Sequence, residues 1–482
     1  MPAEQEFIKL DAMLRRKSYL LAGTGRLAPV RVLACSVVLA LGAVSAGAKA
    51  PPPAPISILP VPQPSVAPAV SPVLNPDTSP VIEPLPPEPS PEDLVMNWTL
   101  GDARALLGVI EKLETEGLIP ADYQPGLLRA AIATGEGAAL DVQSSRSFRW
   151  LVEDMRDGRT RMESRVQWFA VDHDVELASN AALMSSALLS HDVAGVIAGL
   201  VPTNPDYAAL KSALATTPRA DRKTRDLIRV NMDRWRWLSR EMGPFYLITN
   251  VPEFQLRLTV RNEIIRSYRT IVGKPGKTAT PQLSEVVQGV IFNPTWTVPQ
   301  SIVKGEGLGA QLIANPARAK RENYKVTKAA DGTITVVQQP GRGNSLGMMK
   351  LDMPNPHAIF VHDTPARNLF NLNVRALSHG CIRTERATEL AMTMAILGAG
   401  MTPEEGITHS TSGKYTLVPM TKTFPVYITY FTMATDVLGK MRSFADIYER
   451  DAPVLASFSA ARKLQDGQRT SKEEIIKLDN PV

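Results

Sequence analysis

Cysteine is nearly absent: in 482 residues only Cys35 and Cys381 occur. That count excludes a disulfide-built domain and a multi-cysteine zinc module. A large excess of one charge is also missing. The net charge is +5, and residues 1–50, with seven Lys/Arg against three Asp/Glu, supply most of it. The remainder is close to neutral, so a nucleic-acid partner has no electrostatic footing. Outside one stretch near the N-terminus there is no long apolar run, which excludes a multi-span membrane protein. Proline is concentrated rather than general, with 16 of its 39 copies between Pro51 and Pro91. What is left, 44% hydrophobic and 21% charged residues, is ordinary globular composition on a chain long enough for two or three domains.

Arg15, Arg16, Lys17, Arg26 and Arg31 precede an uncharged run from Val32 to Ala48 that ends in small residues. This is the order of an export signal, and the run also approaches the ~20 residues of a spanning helix. Residues 1–50 therefore read as a signal peptide or an N-terminal membrane anchor, and either way the bulk of the chain is exported. Membrane contact is expected through this segment only. Cleavage would remove Cys35 and leave Cys381 as the only thiol. Residues 51–95 form a proline-rich linker, extended and semi-rigid, that serves as a spacer.

From residue 96 to 243 the pattern is helical. Leu106, Leu107, Ile110 and Leu113 recur at helical spacing before Gly117, and similar segments follow around Leu127–Ala133, Phe148–Met155, Leu183–Leu200 and Arg225–Met242. His173 and His191 read as surface and packing residues. Beyond Gly243-Pro244 the texture changes to β-rich runs, FYLITN, EFQLRLTV and IIRSYRTIVG, which predict an antiparallel meander. VVQGVIFNPTWTVP adds a strand, residues 300–350 a helix-then-hairpin insert turning at Asp331-Gly332, HAIFVH a buried strand, and PVYITYFTMA a late strand. The fold class is α+β: a mixed, mainly antiparallel β domain over residues 244–451 behind a helical scaffold, with a tail at 452–482.

The chemistry concentrates between His362 and Arg383. A free cysteine titrates near 8.5 and needs a neighbouring base or cation to act as a nucleophile at neutral pH. His379 lies two residues from Cys381, and His362 closes a strand before a loop able to bring both ends together. Gly380 relaxes the backbone where an amide must approach a substrate oxygen. Helix onset near Thr384 would bring a positive dipole end towards the thiol. Two other readings stand beside the nucleophile: a small core cysteine, and a zinc set of His357, His362, His379 and Cys381.

The stretch from His362 to Ser378-His379-Gly380-Cys381 resembles the signature of the L,D-transpeptidases with a YkuD-type catalytic domain. Phe245–Asp451 is similar to the large, YcbB-like branch throughout, in IVGKPGKTATPQLSEVVQGVIFNPTWTVPQSI, QPGRGNSLG, NPHAIFVHDTP, ALSHGCIR, FPVYITYFT and FADIYERD. Residues 98–215 resemble its scaffold more weakly. The resemblance implies peptidoglycan stem peptides as donor and acceptor. Cys381 would attack the amide before the terminal D-alanine of a tetrapeptide stem, and His362, oriented by the Asp363 carbonyl, would accept the thiol proton. His379, Gly380 and Cys381 would shape the oxyanion hole, and a side-chain amine of a second stem would resolve the thioester into a 3-3 cross-link. Arg383, Ser378 and Trp296 are the expected substrate-side residues, Ser378 as hydrogen-bonding support and Arg383 either on a substrate carboxylate or in a structural salt bridge. The insert at 300–350 falls where that branch carries a cap. No metal or organic cofactor is implied, acylation by carbapenems is, and the location is the periplasm or cell envelope.

Two departures stand out. Only TTPRADRKTRDL occupies the place where larger relatives carry a peptidoglycan-binding module, and Phe360 replaces a frequent tyrosine. The alternatives are the same thioester resolved by water, as in an L,D-carboxypeptidase or amidase, its resolution by an envelope protein attached to the wall, and a non-catalytic wall-binding protein.

Overall fold

Seven helices build the first half of the described chain. The computed structural model describes residues 94–170, 179–463 and 471–473. The signal or anchor segment, nearly all of the linker, Cys35, His173 and most of the tail lie outside them. Helices α1 (Leu100–Ile110), α2 (Pro125–Thr134) and α3 (Ala138–Asp157) pack around Leu106, Ile110, Leu128, Phe148 and Leu151, all fully buried. Thr99 starts α1 by accepting the amide of Asp102, the side-chain cap expected of threonine. The run expected as one helix from Leu183 to Leu200 is two, α4 (Asn180–Ser190) and α5 (Val193–Ala198). His191 ends α4 at φ 52°, with Nδ1 3.0 Å from Asp102 Oδ2, and Asp192 caps α5.

Helices α6 (Pro205–Thr216) and α7 (Arg222–Arg236) follow, joined by only Thr217–Asp221. That connection leaves no room for an inserted domain. Along α7 the apolar side of Ile228, Met232 and Trp235 packs into a core shared with Tyr246, Ile248 and Tyr427 of the β domain. The same helix is pinned by charge. Asp233 accepts the amides of Arg159 and Thr160, and fully buried Arg236 donates to the Glu116 carbonyl and the Tyr207 hydroxyl. Buried groups of this kind need partners, because an unsatisfied one costs about 1–3 kcal/mol.

The β domain opens with the expected meander, β1 (Phe245–Asn250), β2 (Gln255–Val260) and β3 (Glu263–Gly273), and continues with β4 (Leu283–Phe292). β5 (Trp296–Thr297), β6 (Tyr324–Lys328) and β7 (Ile334–Gln338) form a separate small sheet. The main sheet resumes with β8 (Met349–Asp352), β9 (Val361–His362), β10 (Ala376–Ser378), β11 (Ile382–Thr384) and β12 (Thr416–Thr429). Its order is β10-β3-β11-β9-β8-β4-β12-β1-β2, and β2 also pairs with β3. The sheet thus closes on itself, with β10 attached outside the ring. HAIFVH contributes only two strand residues, Val361 and His362. β12 is longer than expected and carries Pro419 and Pro425. Pro419 precedes a break in the register with β4, and pairing with β1 begins only at Val426, so neither proline removes a needed amide.

The insert folds as helices then a hairpin. A π-turn (Ser301–Gly305), α8 (Leu308–Ala314) and α9 (Pro316–Arg321) lead into β6 and β7, which turn at Asp331-Gly332. Val298, Val303, Leu312 and Val336 give it a core of its own. After β11 come α10 (Ala387–Ala399) and α11 (Pro403–Thr411), and α12 (Asp451–Ser459) closes against α7 through an Arg234–Asp451 ion pair of 2.6 Å.

Candidate active site

Strand alternation builds the site. Val361, Ile382 and Leu351 are fully buried in the core with Leu390 and Met394 of α10. Successive strand residues face opposite ways, so Phe360 and His362, Arg383 and Cys381, and Lys350 share the other face. The registers agree: His362 stands opposite Arg383 on one side and Lys350 on the other. The structure corrects one expectation here. Ile382–Thr384 is a strand and α10 starts at Ala387, so no helix dipole begins beside the thiol.

A knot of hydrogen bonds fixes the loop before Cys381. Thr280 Oγ1 donates to the Gly380 carbonyl (2.7 Å) and accepts the Gly273 amide (2.8 Å), while Tyr448 OH donates to the Gly273 carbonyl (2.5 Å). Ser378 Oγ donates to the Cys381 carbonyl (2.6 Å) and accepts the Gly380 amide (3.2 Å). Gly380 sits at φ 117°, a backbone conformation that favours glycine, and a Cβ there would press on the end of the Ile359 side chain at 3.0 Å. The Cys381 amide has no hydrogen-bond partner among the described residues.

The thiol is half-buried and donates to the Ala358 carbonyl at 3.5 Å. Ala358 is held at φ 51°, in a loop braced by Asn355, whose side chain binds the carbonyls of Met353 and Ile359. Burial pushes the Cys381 thiol up to about 11, against the opposing pull of a Phe360 backbone hydrogen bond and the Lys350 and Arg383 cations. Burial also pushes His362 down to about 3, helped by the charges of Arg383 and Lys350, while the backbone of Asp363 and Leu346 works the other way. Its Nδ1 is buried without a hydrogen-bond partner among the described residues. The resting pair is therefore a neutral thiol and a neutral imidazole.

Among the described residues, neither Arg383 nor Lys350 forms an ion pair, although the Asp352 carboxylate acts on Lys350 from a distance. The Arg383 Nε is buried and unsatisfied there; the structural salt bridge weighed for it is not made. Lys350 is buried, with Nζ 4.2 Å above the Phe360 ring. Arg383 borders a cavity of about 590 Å³ that is also lined by Cys381, His362, Phe360, Trp296 of β5 and Glu306 of the insert, with Lys350 behind its wall. His379 also lines it, half-exposed, with Nε2 3.1 Å from Glu306 Oε1. His357 reaches the wall as well, packed against the Phe169 ring at 4.2 Å. No group of three potential metal ligands occurs among the described residues.

Residues 244–428 match the YkuD family, described as the L,D-transpeptidase catalytic domain, and residues 96–214 match the Scaffold domain. The chain carries a YkuD-type L,D-transpeptidase catalytic domain.

A Haemophilus influenzae protein named "Putative L,D-transpeptidase" is 29% identical over 223 residues, 43% of this chain and 45% of that protein. The chain thus matches less than half the length of that relative. Among solved structures, the "Ldtfm-avibactam carbamoyl enzyme" is 14% identical over 39% of this chain and 49% of its own, with TM-score 0.20. An L,D-transpeptidase from Mycobacterium smegmatis is 14% identical over 39% and 58%, with TM-score 0.19. Overlaps this low carry no argument about the fold.

Within the L,D-transpeptidase domain, the structure brings Cys381, His362, His379, Gly380, Arg383 and Trp296 to one cavity. Ser378 touches it too, but its hydroxyl is engaged within the loop. Sequence reasoning missed Lys350, Thr280, Tyr448, Ala358 and Glu306. Three of these lie in stretches that carried the resemblance: Thr280 in the GKTATPQ run, Ala358 in NPHAIFVHDTP and Tyr448 in FADIYERD. Lys350 and Glu306 had no motif to mark them.

Proposed function

We propose that this chain is an exported L,D-transpeptidase that cross-links peptidoglycan through a thioester on Cys381. The observation that supports this reading best is one capped cavity onto which the thiol of Cys381, the imidazole of His362 and the guanidinium of Arg383 open, with Lys350 buried on the strand beside His362. Cys381 attacks the carbonyl before the terminal D-alanine of a donor stem as His362 takes the thiol proton. Because the resting thiol lies high and the imidazole low, that transfer accompanies attack and leaves no standing thiolate. The amide of Cys381 then faces the developing oxyanion. Collapse breaks the C–N bond, and His362 returns the proton to the departing amine.

An amine of a second stem resolves the thioester, giving the 3-3 link and restoring the thiol. Arg383, without a protein carboxylate, is suited to a carboxylate of the donor. The insert covers the cavity and disfavours water as acceptor. A carbapenem, whose strained amide presents the same carbonyl, would acylate the same sulfur. Export rests on the N-terminal segment, which lies outside the described residues; among these, no helix is long and apolar enough to cross a membrane.

The test is intact mass of the protein after mixing with disaccharide-tetrapeptide, with analysis of the muropeptides formed. Dimers linked 3-3 together with an adduct on Cys381 are expected. Tripeptide alone would mean a hydrolase, and no reaction at all would favour a binding protein.

A further inference from the structure

The transpeptidase reading needs a second substrate, and a second substrate of this kind arrives as an ammonium ion. It must be attracted to the cavity and must lose a proton before its nitrogen can attack. His362 lines the same cavity but is buried, away from the solvent side on which the acceptor enters.

The cavity carries a second imidazole. His379 is about half exposed, as is Glu306, and both line the cavity that holds Cys381. Glu306 Oε1 lies 3.1 Å from His379 Nε2, within reach of a carboxylate–imidazole hydrogen bond. Glu306 stands at the end of the π-turn Ser301–Gly305, its amide held by the Ile302 carbonyl, so the insert brings it to the catalytic loop. The other carboxylate on the cavity wall, Glu473, is occupied by the Gln167 amide at 2.6 Å. The cavity wall thus carries cations on the β-domain side, Arg383 beside β9 and Lys277 in the loop after β3, and the carboxylate of Glu306 on the insert side.

We propose that Glu306 is the acceptor-binding residue of this enzyme, holding the ammonium of the incoming side-chain amine, and that Glu306 and His379 act as a dyad that removes its first proton. The proposal rests on the transpeptidase reading. In the step, His379 takes a proton from the ammonium and the freed lone pair forms the N–C bond to the thioester carbonyl. The C–S bond then breaks with its electron pair on sulfur. The second amine proton passes to that sulfur, regenerating the thiol, and His379 releases its proton to solvent. One thioester and one ammonium give one amide, one thiol and one proton.

A rival role for the same contact is a latch that only keeps the insert closed, and kinetics separates the two. A donor-only tetrapeptide stem, its side-chain amine acetylated, acylates the full-length enzyme; the fate of the acyl-enzyme is then followed by mass against increasing unmodified tetrapeptide. For Glu306→Gln, the cross-link to tripeptide ratio should fall about tenfold or more, with a raised half-saturating acceptor concentration. Decay of the acyl-enzyme in water alone should be no faster than in the parent, and Glu306→Asp should recover part of the ratio. Because each ratio counts acyl-enzyme already formed, it does not depend on the acylation rate. Faster decay in water with unchanged acceptor dependence would make Glu306 a latch and overturn the proposal, as would an unchanged ratio. A parent enzyme that forms the adduct but never a cross-link would instead overturn the transpeptidase reading itself.

Discussion

Lys350 stands directly across from His362 in the β8–β9 pair, its ammonium 4.2 Å above the Phe360 ring and without an ion pair among the described residues. A buried cation held by an aromatic face retains most of its field, and here that field reaches both the Cys381 thiol and the His362 imidazole. It lowers the thiol and disfavours charging the imidazole. Replacing Lys350 by methionine, similar in length but uncharged, should therefore push the Cys381 thiol above its present value of about 11. Alkylation by iodoacetamide near neutral pH reads this out, because burial lowers the Lys350 ammonium below its ordinary value and its charge is lost in strong alkali: the variant should react several-fold more slowly, with Lys350→Arg close to the parent. An unchanged alkylation rate would remove Lys350 from the electrostatics of the site.

Cys381→Ala should abolish adduct formation and cross-linking while leaving the thermal transition close to the parent, since the thiol is half-buried and its hydrogen bond to the Ala358 carbonyl is long, at 3.5 Å. His362→Ala should reduce acylation by at least ~100-fold, the usual weight of a positioned general base. Turnover by the Cys381→Ala protein at the parent rate would end the thioester mechanism.

His362 also makes stability depend on pH. In the unfolded chain its imidazole protonates near ~6.5, but in the folded protein only near about 3. Between these values the unfolded state binds more protons, so stability is fully present above ~6.5 and is lost as pH falls towards 3. The slope of denaturation midpoint against pH in this window should be shallower in His362→Gln than in the parent. Parallel slopes would show that the folded imidazole titrates normally.

Thr280 joins the Gly273 amide to the Gly380 carbonyl. Valine has the same shape and neither bond, so Thr280→Val should cost about 1–3 kcal/mol, the range for a buried group left unsatisfied. Carbapenem acylation should fall by more than this stability loss explains at temperatures where the variant remains folded. Equal acylation rates for the two folded proteins would show that the loop holds its shape without the threonine.

Much of the fold was legible because period and punctuation agreed: β1, β2 and β3 are three apolar runs separated by turn residues, and each became a strand. β12 was under-read because Pro419 and Pro425 look like breaks, and only the register explains why they are tolerated. The single helix expected over Leu183–Leu200 fails at His191, which takes a left-handed backbone at the end of α4 and lies beside Asp102, before Asp192 caps the next helix. In the site, Cys381 and His362 were legible from their spacing. Lys350 and Glu306 were not, since one is placed by strand pairing and the other by a contact between the insert and a distant loop. The expected helix after Cys381 failed for a similar reason: Ile382–Thr384 is claimed by the edges of β3 and β9 before a helix can start.

The small core of the insert, Val298, Val303, Leu312 and Val336, is separate from the one that fills the β domain. Mutations that reshape the roof of the cavity are therefore absorbed by a piece with its own interior, while the strands carrying the sulfur and imidazole keep their packing. On the transpeptidase reading proposed above, the choice of second substrate can then diverge under drift or selection without reworking the chemistry of the first bond broken.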